Sequence, residues 1–370
     1  MMARKYMRSS DALALGVFGC LLAFPFFGGD FYIQLITKIM ILSIFAMSLN
    51  LLVGFTGLVS LGHATFYGLG AYALVFSSPQ YDPANLWLTL PFSMLAASAA
   101  ALIIGTFVLR TNGVYFIMVT LAFAQMVYYI FHDGKFSGGS DGVYIYAKPE
   151  MRLFGLDLLD LEKTFNFYLL ALFAMAFCYG ALRVMLHSLF GRTLLGIRTN
   201  ERRMLSLGYA TFRYKLVSFV IAGAFAGLSG YLSAAQFGFV NPSFLGWHQS
   251  AQALIMVILG GMGTLSGPIL GTFALVLLQE FLSELTQRWL LLMGGVIILA
   301  VIKLPHGLAG GLTTLFSARK CTLRAWPRIQ SVFSVLDFRH HAARLKFIGR
   351  ILSQTLRKTA ASMRKRTSAK

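Results

Sequence analysis

Long apolar runs broken by short polar stretches make up most of the first 303 residues. Most runs approach the ~20 residues that an α-helix needs to cross a bilayer. In order, the pattern predicts spans at about 11–27, 31–53, 54–76, 86–109, 114–131, 165–186, 216–237, 251–260, 267–285 and 289–302. Two of them are unusual. GFTGLVSLGHATFYGLGAYALVF (54–76) holds five glycines among serine and alanine, and AQALIMVILGGMGTLSGPILG (251–271) carries GGMG and SGP in its interior. Such segments either pack backbone-close against neighbours or break to line a polar cavity. The expected fold is therefore an all-α polytopic membrane protein of about ten transmembrane helices, or eight if both glycine-rich segments are re-entrant. The two segments could form a faint internal repeat. Short alternating strands, which a membrane β-barrel would require, do not occur.

Composition sharpens this picture. Of 370 residues, 57% are hydrophobic and 12% charged, with a mean hydropathy of +0.70. That is about half the ~25% charged share of a soluble domain. The net charge of +19 is concentrated at one end: residues 319–370 hold fourteen Lys/Arg and one acid. This distribution argues for a basic tail and against a nucleic-acid-binding face. Cys20, Cys178 and Cys321 lie far apart and form neither a disulfide framework nor a metal spacing.

The polar interruptions set sidedness. HSLFGRTLLGIRTNERRMLSLGYATFRYK (187–215) carries six Lys/Arg against the single acid Glu201, whereas 132–164 carries six acids against four Lys/Arg. By the positive-inside rule the first loop is cytoplasmic and the second extracytoplasmic. Residues 110–113 and the tail then fall inside, and 79–85 and 280–288 outside. Arg4, Lys5 and Arg8 precede the first run, which lacks a small-x-small cleavage site and reads as an uncleaved span with a cytoplasmic N-terminus. In 187–215, Leu194, Ile197, Arg198, Glu201, Arg202 and Leu205 recur at helical spacing, with Glu201 facing Arg198. This segment is either a topology-fixing loop or a docking element for a cytoplasmic partner.

Polar residues inside the runs are the candidate path groups. His63 and Thr65 lie in the first glycine-rich segment, and Gln125 lies in the middle of the fifth span. Each reads either as a satisfied packing group or as part of a hydrated path. No HExxH, GxSxG, paired catalytic acids or clustered ligands occur, so neither a catalytic residue nor a metal site is expected. The scarcity of charge in the apolar runs weighs against a proton-driven carrier.

Five blocks carry a resemblance: GLVSLGHATFYGLGAYA (57–73), LRTNGVYFIMVTLAFAQM (109–126), SGGSDG (137–142), GRTLLGIRTNERRMLSLGYATFRYKLVSFVIAGAFAGLSGYL (191–232) and MVILGGMGTLSGPILG (256–271). In unbroken order over about residues 10–312, they resemble the second permease of the high-affinity branched-chain amino acid ATP-binding-cassette importers. The resemblance implies an importer permease fold in residues 1–312, in the bacterial inner membrane, with both termini cytoplasmic. It also implies a sister permease, two ATPase subunits that hold ATP and magnesium, and a periplasmic binding protein for leucine, isoleucine or valine. This chain would bind no cofactor itself and would not be an enzyme. The coupling element maps to about Gly191–Tyr209, centred on Arg198, Asn200, Glu201, Arg202, Arg203 and Gly208. Path candidates are Asn50, Ser60, His63, Thr65, Gln125, Thr264 and Ser266. Permeases for urea, amides or aromatic carboxylates share these blocks, and an ATP-independent facilitator is the reading from another class. A membrane scaffold or receptor has only the tail in its favour. The family's pattern ends near Pro305-His306-Gly307, and 313–370 departs from it as a basic tail, partly amphipathic or disordered.

Overall fold

The computed structural model describes residues 16–26, 29–79, 83–153, 156–157, 160–303 and 307–310. The basic tail and the Pro305-His306 turn lie outside these residues, as does the start of the first expected span, of which residues 16–23 form helix α1.

The chain is organised around α2, Asp30–Asn50, which continues through a π-helical turn, Leu51–Thr56, before Gly57 (φ 82°) ends it. Its apolar run has no polar face, and a helix apolar all round is one that neighbours enclose. From Thr37 and Ile39 through Thr56 its side chains are buried, and α6 (Thr164–His187), α9 (Thr211–Phe237), α10 (Trp247–Gly260) and α11 (Gly267–Leu285) pack around it. A second layer stacks α3 (Ala64–Ser77) and α4 (Leu86–Val108) on α9. α5 (Val114–Asp133) and α12 (Trp289–Lys303) lie outermost. Two two-stranded ribbons supplement the helices. β1 (Val143–Tyr144) pairs antiparallel with β4 (Phe239–Val240), and β2 (Arg152–Leu153) with β3 (Leu156–Asp157).

Six described helices are long and apolar enough to cross a bilayer: α2 with its π-turn, α4, α5, α6, α9 and α11. This is fewer than the eight to ten expected, for identifiable reasons. The third run is split, so that 57–63 is non-helical and only 14 residues remain in α3. α10 stops after 14 residues at Gly260, and α12 has 15. In each glycine-rich segment, backbone that would have been helical leaves the ladder at a positive-φ glycine: Gly57 (φ 82°) in one, Gly261 (φ 115°) and Gly263 (φ 80°) in the other.

The α3–α4–α9 layer packs at backbone distance. A Cβ on Gly70 or Gly227 would strike backbone or side chain across the interface, and one on Gly230 would overlap the Tyr67 carbonyl. Close approach places hydroxyls where they bond across helices. Ser93 Oγ donates to the Gly70 carbonyl (2.8 Å), Ser229 Oγ to the Ile41 carbonyl (2.7 Å), and Thr89 Oγ1 lies 2.7 Å from the Tyr231 hydroxyl. Gly230→Val must therefore separate α3 from α9, at a cost of about 2 kcal/mol or more and a fall of about 4 °C or more in the unfolding midpoint. Gly294→Val on α12, where nothing lies within 4 Å, leaves the midpoint unchanged; thermal unfolding of the two purified variants checks the contrast.

Candidate functional site

The two glycine-rich breaks meet. At the end of α2, Asn50 is fully buried and its Nδ2 donates to the Thr264 carbonyl (2.9 Å), while its Oδ1 accepts from the Gly263 amide (3.2 Å). One amide side chain thus satisfies a donor and an acceptor of a loop more than two hundred residues away. Gly54 must lack a side chain, because a Cβ would lie 2.6 Å from the Gly263 nitrogen and overlap Asn50 Oδ1. Helix ends leave carbonyls without an intrahelical partner. Here the Gly54 carbonyl accepts from Arg198 Nη1, a side chain 144 positions away in the basic segment. A Cβ on Gly263 would lie 3.1 Å from the same guanidinium nitrogen. Arg198 thus joins three pieces of chain: the end of α2, the 261–266 loop and the basic segment.

That segment forms two helices where a single one was expected. α7 (Leu189–Thr199) buries Gly191, Thr193, Leu194 and Ile197 against the body. The chain then becomes extended at Asn200 (φ −159°, ψ 97°), whose Oδ1 accepts from the Arg203 amide (3.0 Å) and caps a second helix, α8 (Glu201–Ser206). An asparagine that bonds the backbone two or three residues on competes with helix continuation, hence the break. Gly208 (φ 85°) ends α8. Glu201 does not face Arg198: it pairs with Lys215 Nζ (2.6 Å), an almost fully buried lysine of α9. Arg202 and Arg203 are exposed, and so are Leu205, Leu207 and Tyr209. The outer surface is therefore basic and apolar together. The exposure of Leu207 and Tyr209 and the Lys215 tether lay beyond the sequence reading, which placed Leu205 only at helical spacing.

The remaining path candidates divide. His63 is buried, stacked on Phe45 (centroids 5.4 Å apart, 13° between planes), with Nε2 2.8 Å from Ser48 Oγ. Ser48 spends its own proton on the Phe45 carbonyl (2.7 Å), so His63 Nε2 must be the donor. Nδ1 is then an acceptor, and it is buried without a partner, as are Thr65 Oγ1 and Ser266 Oγ. Ser60 Oγ accepts from the Gly62 amide (3.3 Å). Asn50 and Thr264 come together in the Arg198 cluster, and Ser266 closes the same loop as the residue before α11. Gln125 is half-buried on α5. The α5 residue that reaches the 57–63 segment is Thr120, whose Oγ1 accepts from the Leu61 amide (3.4 Å) and whose carbonyl crowds Gly62.

Residues 31–301 match the family described as branched-chain amino acid transport system, permease component. The chain belongs to that family. It is 32% identical over 305 residues to the high-affinity branched-chain amino acid transport system permease protein LivM of Escherichia coli K12, covering 77% of this chain and 72% of the relative. The LivM protein of Salmonella typhimurium LT2 gives the same figures. A shorter similarity, 33% over 122 residues, links 31% of the chain to 36% of the autoinducer 2 import system permease protein LsrC of Klebsiella pneumoniae. No solved structure matches the chain. This permease component is a multi-pass membrane protein and a transport subunit, not an enzyme. Among its described residues no group of three or more His, Cys, Asp or Glu could hold a metal ion.

In chemical terms, the cluster ties a surface helix to two helix breaks through hydrogen bonds. Asn50 contributes two hydrogen bonds to it. Asn50→Ala removes both bonds, worth about 1 kcal/mol each, so the Gly263 amide is expected to exchange with solvent roughly fivefold faster or more. Hydrogen exchange read by mass spectrometry over 257–266 checks this, with amides of mid-α4 unchanged.

Proposed function

We propose that this chain is one of two different permeases of an ATP-driven importer for leucine, isoleucine and valine, resident in the bacterial inner membrane with both termini in the cytoplasm. Its partners in this reading are a sister permease, two cytoplasmic ATPases that bind ATP and magnesium, and a periplasmic binding protein that delivers the amino acid. The observation that carries the proposal is the α7–α8 element: an exposed basic and apolar knob tied through Arg198 to both glycine-rich breaks. A topology-fixing loop needs positive charge but not a tether, and a facilitator has no use for either.

Sidedness follows from charge. Arg192, Arg202 and Arg203 lie at the Arg198 end of the bundle, and Asp133 and Asp141 in the loop that leads into β1 at the other, so the Arg198 end is cytoplasmic. Counting α1, α12 and the two broken segments as crossings gives ten. The segment 57–77 supports that count: it leaves α2 beside Arg198 and ends with Phe76 against Phe136, beyond α5. The substrate class rests on the two LivM relatives, 32% identical over 77% of the chain, where the LsrC similarity is either short, 33% over 31% of the chain, or weaker, 24% over 81% of it.

In the mechanism, closure of the ATPases on ATP displaces α8. Asn200 and Lys215 fix α8 to α7 and α9, and Arg198 passes the displacement to Gly54 and the 261–266 loop. Glycine at 54, 57, 261 and 263 lets these turns reorient without side-chain clashes, which opens a path flanked by Asn50, Ser60, His63, Thr65, Thr264 and Ser266. Gln125, on the outermost face, meets the sister permease or the path's outer wall.

The test is uptake into proteoliposomes that hold all four membrane and ATPase subunits, supplied with binding protein and leucine. Arg202→Glu with Arg203→Glu abolishes docking, and ATP-dependent uptake falls at least tenfold while the two permeases still copurify. Arg198→Ala leaves the ATPases docked and hydrolysing but cuts uptake by a similar factor. Uptake that is independent of ATP, or unaffected by both variants, contradicts the proposal.

A further inference from the structure

Lys38 is a lysine nine positions into the most enclosed helix of a membrane protein, and no described acid pairs with it. Ionisable groups at such depth are costly and mark solute sites more often than packing. Lys38 lines a cavity of about 190 Å³ between α2, α9, α10 and α11. Its other polar walls are Tyr67, Ser233, Gln236, Gln249, Gln252 and Gln279, and no acid is among the lining residues. Gln236 Nε2 is spent on the Gln34 carbonyl (2.9 Å), which aims its Oε1 elsewhere; that oxygen is buried with no partner. The cavity therefore offers one cation and one orphaned acceptor. Ile41, Leu42, Phe244 and Val276 supply apolar wall between them.

We infer that this cavity is a binding site for a free aliphatic α-amino acid, with Lys38 holding the carboxylate and Gln236 Oε1 the ammonium. This rests on the importer reading above and adds to it where in this chain the solute is first held. The dimensions agree: a sphere of 190 Å³ is about 7 Å across, below the ~300 Å³ of drug-sized pockets, and it brings Lys38 and Gln236 within reach of one small zwitterion. The location agrees as well. Sixteen residues of helix separate Lys38 from Gly54, about 24 Å, so the cavity lies at the end of the bundle opposite Arg198. It is the end at which a delivered solute arrives. A neutral amide oxygen, that of Gln236, stands where an ammonium would otherwise demand a carboxylate, so the site releases its occupant more readily than a fully charged one.

A phospholipid headgroup also presents an oxyanion, and the test separates the two. The assembled transporter, without binding protein, is placed in phosphatidylcholine nanodiscs and titrated with radiolabelled leucine. Saturable binding is expected, weakened at least tenfold by Lys38→Gln and held within about threefold by Lys38→Arg. 4-Methylpentanoate and 3-methylbutylamine, which each lack one charged group, compete poorly. Gln236→Leu narrows the preference for leucine over 4-methylpentanoate, an outcome that a merely destabilised variant does not produce. Absence of leucine binding to the parent complex, or equal binding by Lys38→Gln, overturns the inference. So does retention of phosphatidylglycerol through purification that depends on Lys38 while leucine binding does not. ATP-driven leucine uptake by the parent complex that Lys38→Gln leaves intact removes this site but not the importer reading; no uptake by the parent removes the importer reading itself.

Discussion

A helix that ends inside a protein leaves carbonyls that must find a donor, and in this chain that requirement joins the membrane body to its surface element. The π-helical end of α2 presents the Gly54 carbonyl, and the donor is the Arg198 guanidinium from α7. A charged donor roughly doubles the strength of such a bond and adds direction. The contact requires glycine on both sides, since a Cβ at 54 or 263 would crowd the Gly263 amide or the guanidinium. Asn50 then fixes the 261–266 loop against the same helix end. These contacts tie the two breaks to each other and to α7.

The rest of the architecture keeps that junction in place. Small residues let α3, α4 and α9 approach at backbone distance, and serine and threonine hydroxyls bond across the gaps. The result is a stiff second layer on one side of α2, while α10 and α11, linked by the loop itself, form the other side. α5 and α12 remain largely uncovered: Val114, Tyr115, Met118, Met126, Tyr129 and Ile130 are exposed on α5, and α12 buries no residue. Apolar surface of this extent on a membrane subunit faces lipid or another permease.

Run length made most of the helices legible beforehand. The spans expected at 86–109, 165–186 and 267–285 fall within a residue or two of α4, α6 and α11, because the apolar stretch needed to cross a bilayer is also the helix. Glycine content marked where the chain would break, and the two marked segments proved to touch. What could not be read were side chains that choose among several partners. Glu201 had Arg198 at helical spacing, yet Asn200 capped a new helix and turned Glu201 toward Lys215. Asn50, Thr264 and Arg198 were named separately; their meeting depends on contacts that span 144 to 214 positions, which one sequence does not encode visibly. Lys38 is a lone base in its apolar run, and the glutamines that surround it come from three other helices.

The central claim is that α8, α7 and the 261–266 loop move as one body under ATP. Spin labels at Arg203→Cys and Met262→Cys, both exposed positions, in a background without Cys20, Cys178 and Cys321, report it by pulsed electron resonance in the assembled transporter. The account predicts that this distance holds constant with and without ATP while each label moves relative to a third at Tyr115→Cys on α5, and that Arg198→Ala makes the first distance ATP-dependent. A distance between α8 and the loop that changes with ATP in the parent protein, or one that Arg198→Ala leaves constant, contradicts it.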